Sequence, residues 1–394
     1  MRIKQLDLLR GLAILLVLGR HPVIKPPESG LLGLFGSTWQ RFGWTGVDLF
    51  FVLSGFLIGG LLFNEFKRTS SLNIGRFLIR RGLRIWPGYL ALLAFMVLMP
   101  LSKPDGSTYD FSERLGAFAP HFVHLQNYLG MVQLHTWSLA VEEHFYLLLP
   151  ILLFFLFRVS TSEAKLFKLV SITTAVLGVT CLGLRLISAT VTPLSDMAAR
   201  LNPTHLRIDS LFFGVFLAAF YHLKPDYFSI LARRRRALLV LSLLLIAPML
   251  FIPIEYSVFV TTWGFTLLYL GYGCLLVWAI SATESNRFYN RTIESIGVYS
   301  YGIYLWHWHL AITLIALVPF TGSWTMPVSV RWLLVTSFYV FVATMFGRLM
   351  EKLVGLPALK FRDRWFPAEG SAAKQTNRGG PQAWPPLQRV GAEN

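Results

Sequence analysis

Apolar stretches of about the length needed to cross a bilayer recur through nearly the whole of this sequence, and they leave the chain little choice of solvent. Ten can be read, approximately over residues 6–24, 43–63, 83–101, 137–157, 166–187, 207–221, 237–254, 258–280, 300–319 and 328–349. A hydrocarbon core of about 30 Å takes about 20 helical residues. Lipid offers no hydrogen bonds to a backbone, so such spans are helices unless they close a barrel, and these runs lack a barrel's alternation. The expected fold is therefore an all-α integral membrane bundle of about ten transmembrane helices. Composition agrees: 54% of the 394 residues are hydrophobic and 14% charged, against roughly a quarter charged in soluble domains. A soluble globular protein is excluded.

The formal charge of +16 would suggest a polyanionic partner in a soluble chain. The one dense run, Arg233 to Arg236, lies between apolar stretches with no interleaved aromatic platform, so no nucleic acid partner is expected. If the amino terminus is placed in the cytoplasm, most of the 36 lysines and arginines fall on that side. The positive-inside rule then puts both termini in the cytoplasm. Arg2 and Lys4 before an apolar run resemble a signal peptide, but no small-residue cleavage site follows, and the first span is expected to be retained. Cys181 and Cys274 sit in apolar segments with no ligand spacing and read as packing residues.

Residues 1–360 are expected to form one transmembrane domain and 361–394 a disordered cytoplasmic tail. The longest outer loop, about residues 102–136, holds His121 and His124 at i, i+3. With no third ligand at a recognisable spacing it reads as a surface loop and not a metal site.

Charged groups inside the spans are the informative residues, because each costs at least a few kcal/mol in lipid and so faces a bundle interior or a wet cavity. Arg10 and His21 are eleven residues apart, which returns to nearly the same helix face about 16 Å further along. A snorkelling arginine and an interfacial histidine are the structural alternatives. Asp48 enters the second span and can orient the His21 imidazole, or simply cap its helix. Arg76, Arg80, Arg81 and Arg84 lead into the third span, and Arg81 and Arg84 at i, i+3 can face one anion together or act as a positive anchor. In WSLAVEEHFY, Ser138, Glu142 and Tyr146 share a face while Glu143 is rotated away. Arg207 and Asp209 start the sixth span on the same side and can pair with one of those carboxylates. In YSYGIYLWHWHL, Ser300, Tyr304 and His307 line one face beside Trp306 and Trp308, a set suited to a sugar or an acyl thioester, although a lone membrane histidine can equally be structural.

Taken in order, LDLLRGLA with His21, GVDLFFVLSGFLI, the RRxxRIxP pattern at Arg80 to Pro87, WSLAVEEHFY, RIDSLFFG and SYGIYLWHW resemble acyltransferase family 3. These are the membrane O-acyltransferases of the O-antigen, peptidoglycan, Nod-factor and macrolide type. The resemblance covers about residues 3–350. It implies that Arg10 and His21 are the essential arginine and histidine and that Glu142 is the acidic position of the WSL motif; Asp48, from its place on the neighbouring span, is expected beside them in catalysis. It implies an acyl-coenzyme A donor, acetyl-coenzyme A foremost, docked at Arg80, Arg81 and Arg84, and no metal. Arg207, Asp209, Tyr304, Trp306 and His307 would hold a sugar-containing acceptor. His144 departs from the usual Gln and His309 from the usual Pro, which leaves acceptor specificity open. Some relatives carry a further soluble esterase-like domain, for which this chain is expected to have no room.

The expectation is thus an enzyme of the bacterial cytoplasmic membrane in which His21, held by Asp48, takes the proton of an acceptor hydroxyl. The rival class is a glycan or lipid transporter or flippase without acyl transfer. It would predict paired half-repeats with broken helices, and no convincing repeat is visible.

Overall fold

The computed structural model describes residues 3–99, 108–129, 134–281, 288–317 and 325–367. Asp105, Arg287 and the tail beyond residue 367 lie outside the described residues. Along the chain the helices are α1 (Lys4–Arg20), α2 (Gly30–Phe42), α3 (Gly46–Thr69), α4 (Ile74–Leu98), α5 (Phe111–Phe122), α6 (Trp137–Val159), α7 (Glu163–Val191), α8 (Met197–Leu201), α9 (Ile208–Leu223), α10 (Pro225–Arg233), α11 (Arg235–Ile246), α12 (Pro248–Phe251), α13 (Phe265–Ile280), α14 (Phe288–Val298), α15 (Ser300–Leu317), α16 (Val328–Met350) and α17 (Leu356–Trp365). The expected all-helical architecture is present. Among the described residues, six helical stretches are long and apolar enough to cross a membrane: 30–69, 74–98, 137–159, 163–191, 260–280 and 328–365. α9 is a shorter apolar helix of the same kind.

Helix ends follow local chemistry. α1 stops at Arg20 because Pro22 disfavours helical geometry at His21, whose ψ is 62°. α3 ends on Ser70 in the left-handed region at φ 55°, and Asn73 caps α4 by accepting the Arg76 amide at 3.0 Å.

Two expectations are corrected here. The segment read as a surface loop contains α5, started by a reciprocal capping box between Asp110 and Glu113. His121 at its end is buried, and so is His124, stacked on Tyr89 of α4 with ring centroids 5.0 Å apart. The apolar side of a short amphipathic helix found a buried place that the polar composition of the loop concealed. Likewise, regular structure continues past residue 361, since α17 runs to Trp365.

α1 is the element around which the rest is arranged. Leu6, Leu9 and Ala13 join the core built mainly by α3, α6, α9 and α13, while Ile14, Val17 and Leu18 join a second core with α4, α15 and α16. Backbones approach to contact where glycine permits. A side chain at Gly55 of α3 would run into the Leu211 carbonyl of α9, and one at Gly297 of α14 into the Asp7 carbonyl of α1. These seams fix α1 between two packed halves and so fix what its polar residues face.

Candidate active site

Near the start of α1, residues of six helices, α1, α3, α4, α6, α14 and α15, line a chamber with about 860 Å³ of empty space, its open part included. Arg10 enters it from α1, Ser54 from α3, Arg81 and Arg84 from α4, Ser138 and Glu142 from α6, and Ser300 and Tyr304 from α15. The helical period explains the pairs: residues three or four apart on α4, α6 and α15 share a face. Three of the sequence-predicted charges, on two helices, thus converge with Glu142 of a third on one space.

Tyr146 ties the chamber wall together. Its hydroxyl donates to Glu142 at 2.6 Å and accepts from Arg81, whose guanidinium also lies 4.1 Å over the ring centroid. A phenol has one proton, so the Ser54 hydroxyl, 2.7 Å away, donates to the same oxygen. The carboxylates that hold the other guanidiniums stand outside the lining. Glu351 binds Arg84 at 2.6 Å, and Asp7 reaches Arg10 at 3.5 Å. Glu142 is the one carboxylate among the residues lining the chamber, against three guanidiniums, and the space suits an anion. Arg80 lies outside the lining; it binds Asp363 at 3.1 Å and the Phe366 carbonyl.

At the other end of α1, His21 packs against His307, with ring centroids 5.4 Å apart, and edge-on against Trp308 at 4.6 Å. His307 Nδ1 faces the Tyr304 carbonyl at 2.7 Å. A nitrogen facing a carbonyl oxygen must carry the proton, which leaves the buried, unpartnered Nε2 with its lone pair. His135 repeats the device: Nε2 donates to the Leu305 carbonyl at 3.2 Å, and Nδ1 is buried without a partner. Between this cluster and the chamber, Tyr304 donates to the His135 carbonyl and accepts from Ser138 at 2.6 Å. Hydrogen bonds therefore lead from Ser138 in the chamber to the backbone of His135, a member of the imidazole cluster.

Several expected site residues are elsewhere. Asp48 does not hold His21; it binds Arg207 at 2.7 Å, both side chains buried. Arg207 lies 3.8 Å over the Phe265 ring centroid. Asp209 binds Arg185 of α7 at 2.8 Å. Neither Arg207 nor Asp209 pairs with Glu142 or Glu143, and neither lines the chamber. A buried charge requires its nearest opposite charge, and the α3–α9 seam brings these partners together first. Glu143 instead accepts from the Trp86 indole at 3.2 Å, and His144 meets Thr204 at 2.6 Å. Trp306 is turned away, packed against Phe95 and Phe346. Two residues further along α15 corresponds to about 200°, so Trp308 takes the place beside His21. His135, Tyr146 and Glu351 were missed. Tyr146 shared a visible face with Glu142, but His135 and Glu351 carried no spacing signal.

A bundle of apolar helices closed around an arginine-lined chamber, with an imidazole cluster at the far end of one helix, defines a multi-pass membrane protein with charged groups gathered in its interior. The acyltransferase domain model of acyltransferase family 3 matches residues 3–347. This chain belongs to that acyltransferase family. It is 28% identical over 339 residues to the peptidoglycan O-acetyltransferase of Listeria monocytogenes, a match covering 79% of this chain and 50% of that protein. It is 27% identical over 294 residues to an O-acetyltransferase of Staphylococcus aureus, covering 70% and 47%. The chain spans about half the length of these curated relatives. No solved structure matches it.

Proposed function

We propose that this protein transfers an acyl group, specifically acetyl, from cytoplasmic acyl-coenzyme A to a hydroxyl of a sugar-containing acceptor: a surface polysaccharide, a lipid-linked glycan or a glycosylated metabolite. One observation carries the reading. A single helix presents Arg10 to a chamber lined by three guanidiniums and, eleven residues later, His21 to His307 and Trp308.

Guanidiniums bind phosphate groups through several donors at once, so Arg10, Arg81 and Arg84 hold the donor, with Arg80 at the approach. Glu142, through Tyr146, keeps Arg81 in place. Neutral His21 is the general base. The acceptor oxygen attacks the thioester carbonyl, its proton passes to His21, the carbon–sulfur bond breaks, and the departing thiolate takes up that proton, which returns His21 to its neutral form. His307 and Trp308 flank the acceptor. The bilayer then contains about ten spans of a bacterial cytoplasmic membrane, with both termini and the arginines of α4 on the cytoplasmic side. Residues 1–360 form the transferase domain. The O-acetyltransferase relatives support acetyl as the group transferred.

Proteoliposomes supplied with [14C]acetyl-coenzyme A at the face bearing the α4 arginines, and with a peptidoglycan or glycan acceptor at the other, test this. Acceptor labelling that requires that arrangement is expected. Movement of a glycan across the bilayer without consumption of acetyl-coenzyme A would overturn the reading in favour of a transporter.

A further inference from the structure

A second, larger concavity lies on the opposite side of the segment that walls the chamber. Gly297, Val298 and Ser300 face the chamber, whereas Ser295, Ile296 and Tyr299 face this groove between α2, α14 and α16. Its empty space is about 1510 Å³. Along α16 it is lined from Trp332 through Val340 to Arg348, sixteen residues or about 24 Å of helix. Phe35 of α2 closes one end against Trp332, with ring centroids 6.4 Å apart.

Two arginines, Arg291 and Arg348, line the groove, and no acidic residue lines it. The contrast with the chamber is sharp: there the guanidiniums of Arg10 and Arg84 are held by carboxylates behind them. Here the Arg348 guanidinium lies 5.1 Å over the Tyr299 ring centroid, and its Nε is buried without a hydrogen-bond partner. The groove opens on α16, part of a candidate membrane span whose most apolar window is only 22% buried within the protein. Its walls therefore meet hydrocarbon, while its two cations meet nothing of opposite sign among the lining residues.

We infer that this groove is a binding site for an anionic glycerophospholipid, whose acyl chain lies along α16 and whose phosphodiester is held by Arg291 and Arg348. An apolar trough satisfies the chain, and two guanidiniums with no carboxylate among the lining residues satisfy the phosphate. A zwitterionic phospholipid would leave its cationic headgroup beside two arginines and is disfavoured. The site is separate from the acyl-transfer chamber and does not depend on the activity proposed for it.

The test is native mass spectrometry of the full chain released from nanodiscs of phosphatidylglycerol and phosphatidylcholine in equal amounts. Retention of one phosphatidylglycerol per chain is expected, preferred by about 30-fold, the product of two arginines near a headgroup. Arg291→Gln with Arg348→Gln abolishes the preference but leaves lipid bound. Ser337→Trp, which fills the trough, displaces lipid of both kinds, and each variant is compared at an unchanged melting temperature. Equal retention of the two lipids by the native chain, or preference surviving in the double glutamine variant, would overturn the assignment. If the double variant does not fold, the native preference and its loss in Ser337→Trp decide the matter.

Discussion

Asp48 and Arg207, 159 residues apart in the chain, face each other at 2.7 Å across the seam between α3 and α9, with 2% or less of either side chain exposed. Breaking such a pair from one side leaves an uncompensated buried charge, at a cost of about 3–5 kcal/mol. Asp48→Ala and Arg207→Ala are each expected to lower the melting temperature sharply, while Asp48→Leu with Arg207→Leu recovers most of it. If Asp48 acts only in folding, the recovered double variant still transfers acyl groups. An inactive but stable double variant would return Asp48 to the chemistry.

Tyr146 joins Arg81, Glu142 and Ser54 through one oxygen. Tyr146→Phe keeps the ring under the guanidinium but removes hydrogen bonds to charged groups, each worth about 1.5–3 kcal/mol. A fall of about 10- to 100-fold in kcat/KM for acetyl-coenzyme A is expected, measured in proteoliposomes. The melting temperature should fall as well, because the buried partners lose those bonds, so rates are compared per folded molecule.

Trp306 and Trp308 are two residues apart and serve different ends. Trp306→Ala empties a packed site between Phe95 and Phe346, and destabilisation of about 3 kcal/mol or more is expected, with activity per folded molecule kept. Trp308→Ala should instead raise KM for the acceptor. Thermal denaturation and acceptor-dependent kinetics separate the two; the reverse pattern would place the acceptor on the other face of α15.

Outside the spans, Glu255 binds Arg20 at 2.5 Å. Burial acts to raise the Glu255 pKa, but the Arg20 hydrogen bond, a backbone hydrogen bond and the charges of Arg20 and Arg41 outweigh it, so the value lies below that of an ordinary glutamate. A depressed folded-state pKa contributes stability above the unfolded value, about 4.3, and that contribution is lost as pH falls through the lower folded value. Melting curves of the native chain and Glu255→Gln should therefore converge only once pH has fallen below that lower folded value, where the native carboxyl is neutral too. A constant gap across that range would contradict the pairing.

The α-helical class was legible because lipid removes every alternative, and the shared face of residues 138, 142 and 146 was legible because the helical period is rigid. The convergence of Arg10, Arg81 and Arg84 with Glu142 was not, since spacing gives each residue a helix face and only the packing of α1, α4 and α6 brings those faces to one chamber. Partners across helices were not legible. Periodicity tells which way Asp48 points, not whether His21 or Arg207 stands opposite, and close α3–α9 packing through Gly55 decided it. The choice between Trp306 and Trp308 was available from spacing, since residues two apart on a helix cannot face one ligand together. His135 precedes its helix, where no period applies, and only the fold brings it to His307.

The most direct measurement is single-site: acyl transfer by His21→Ala in proteoliposomes, at matched amounts of folded protein, with labelled acetyl-coenzyme A and a glycan acceptor. Removal of a general base is expected to lower kcat by about 10²- to 10⁴-fold while acetyl-coenzyme A still binds at Arg10, Arg81 and Arg84. Undiminished transfer to the acceptor would contradict the role assigned to His21 and, with it, the use of the two ends of α1.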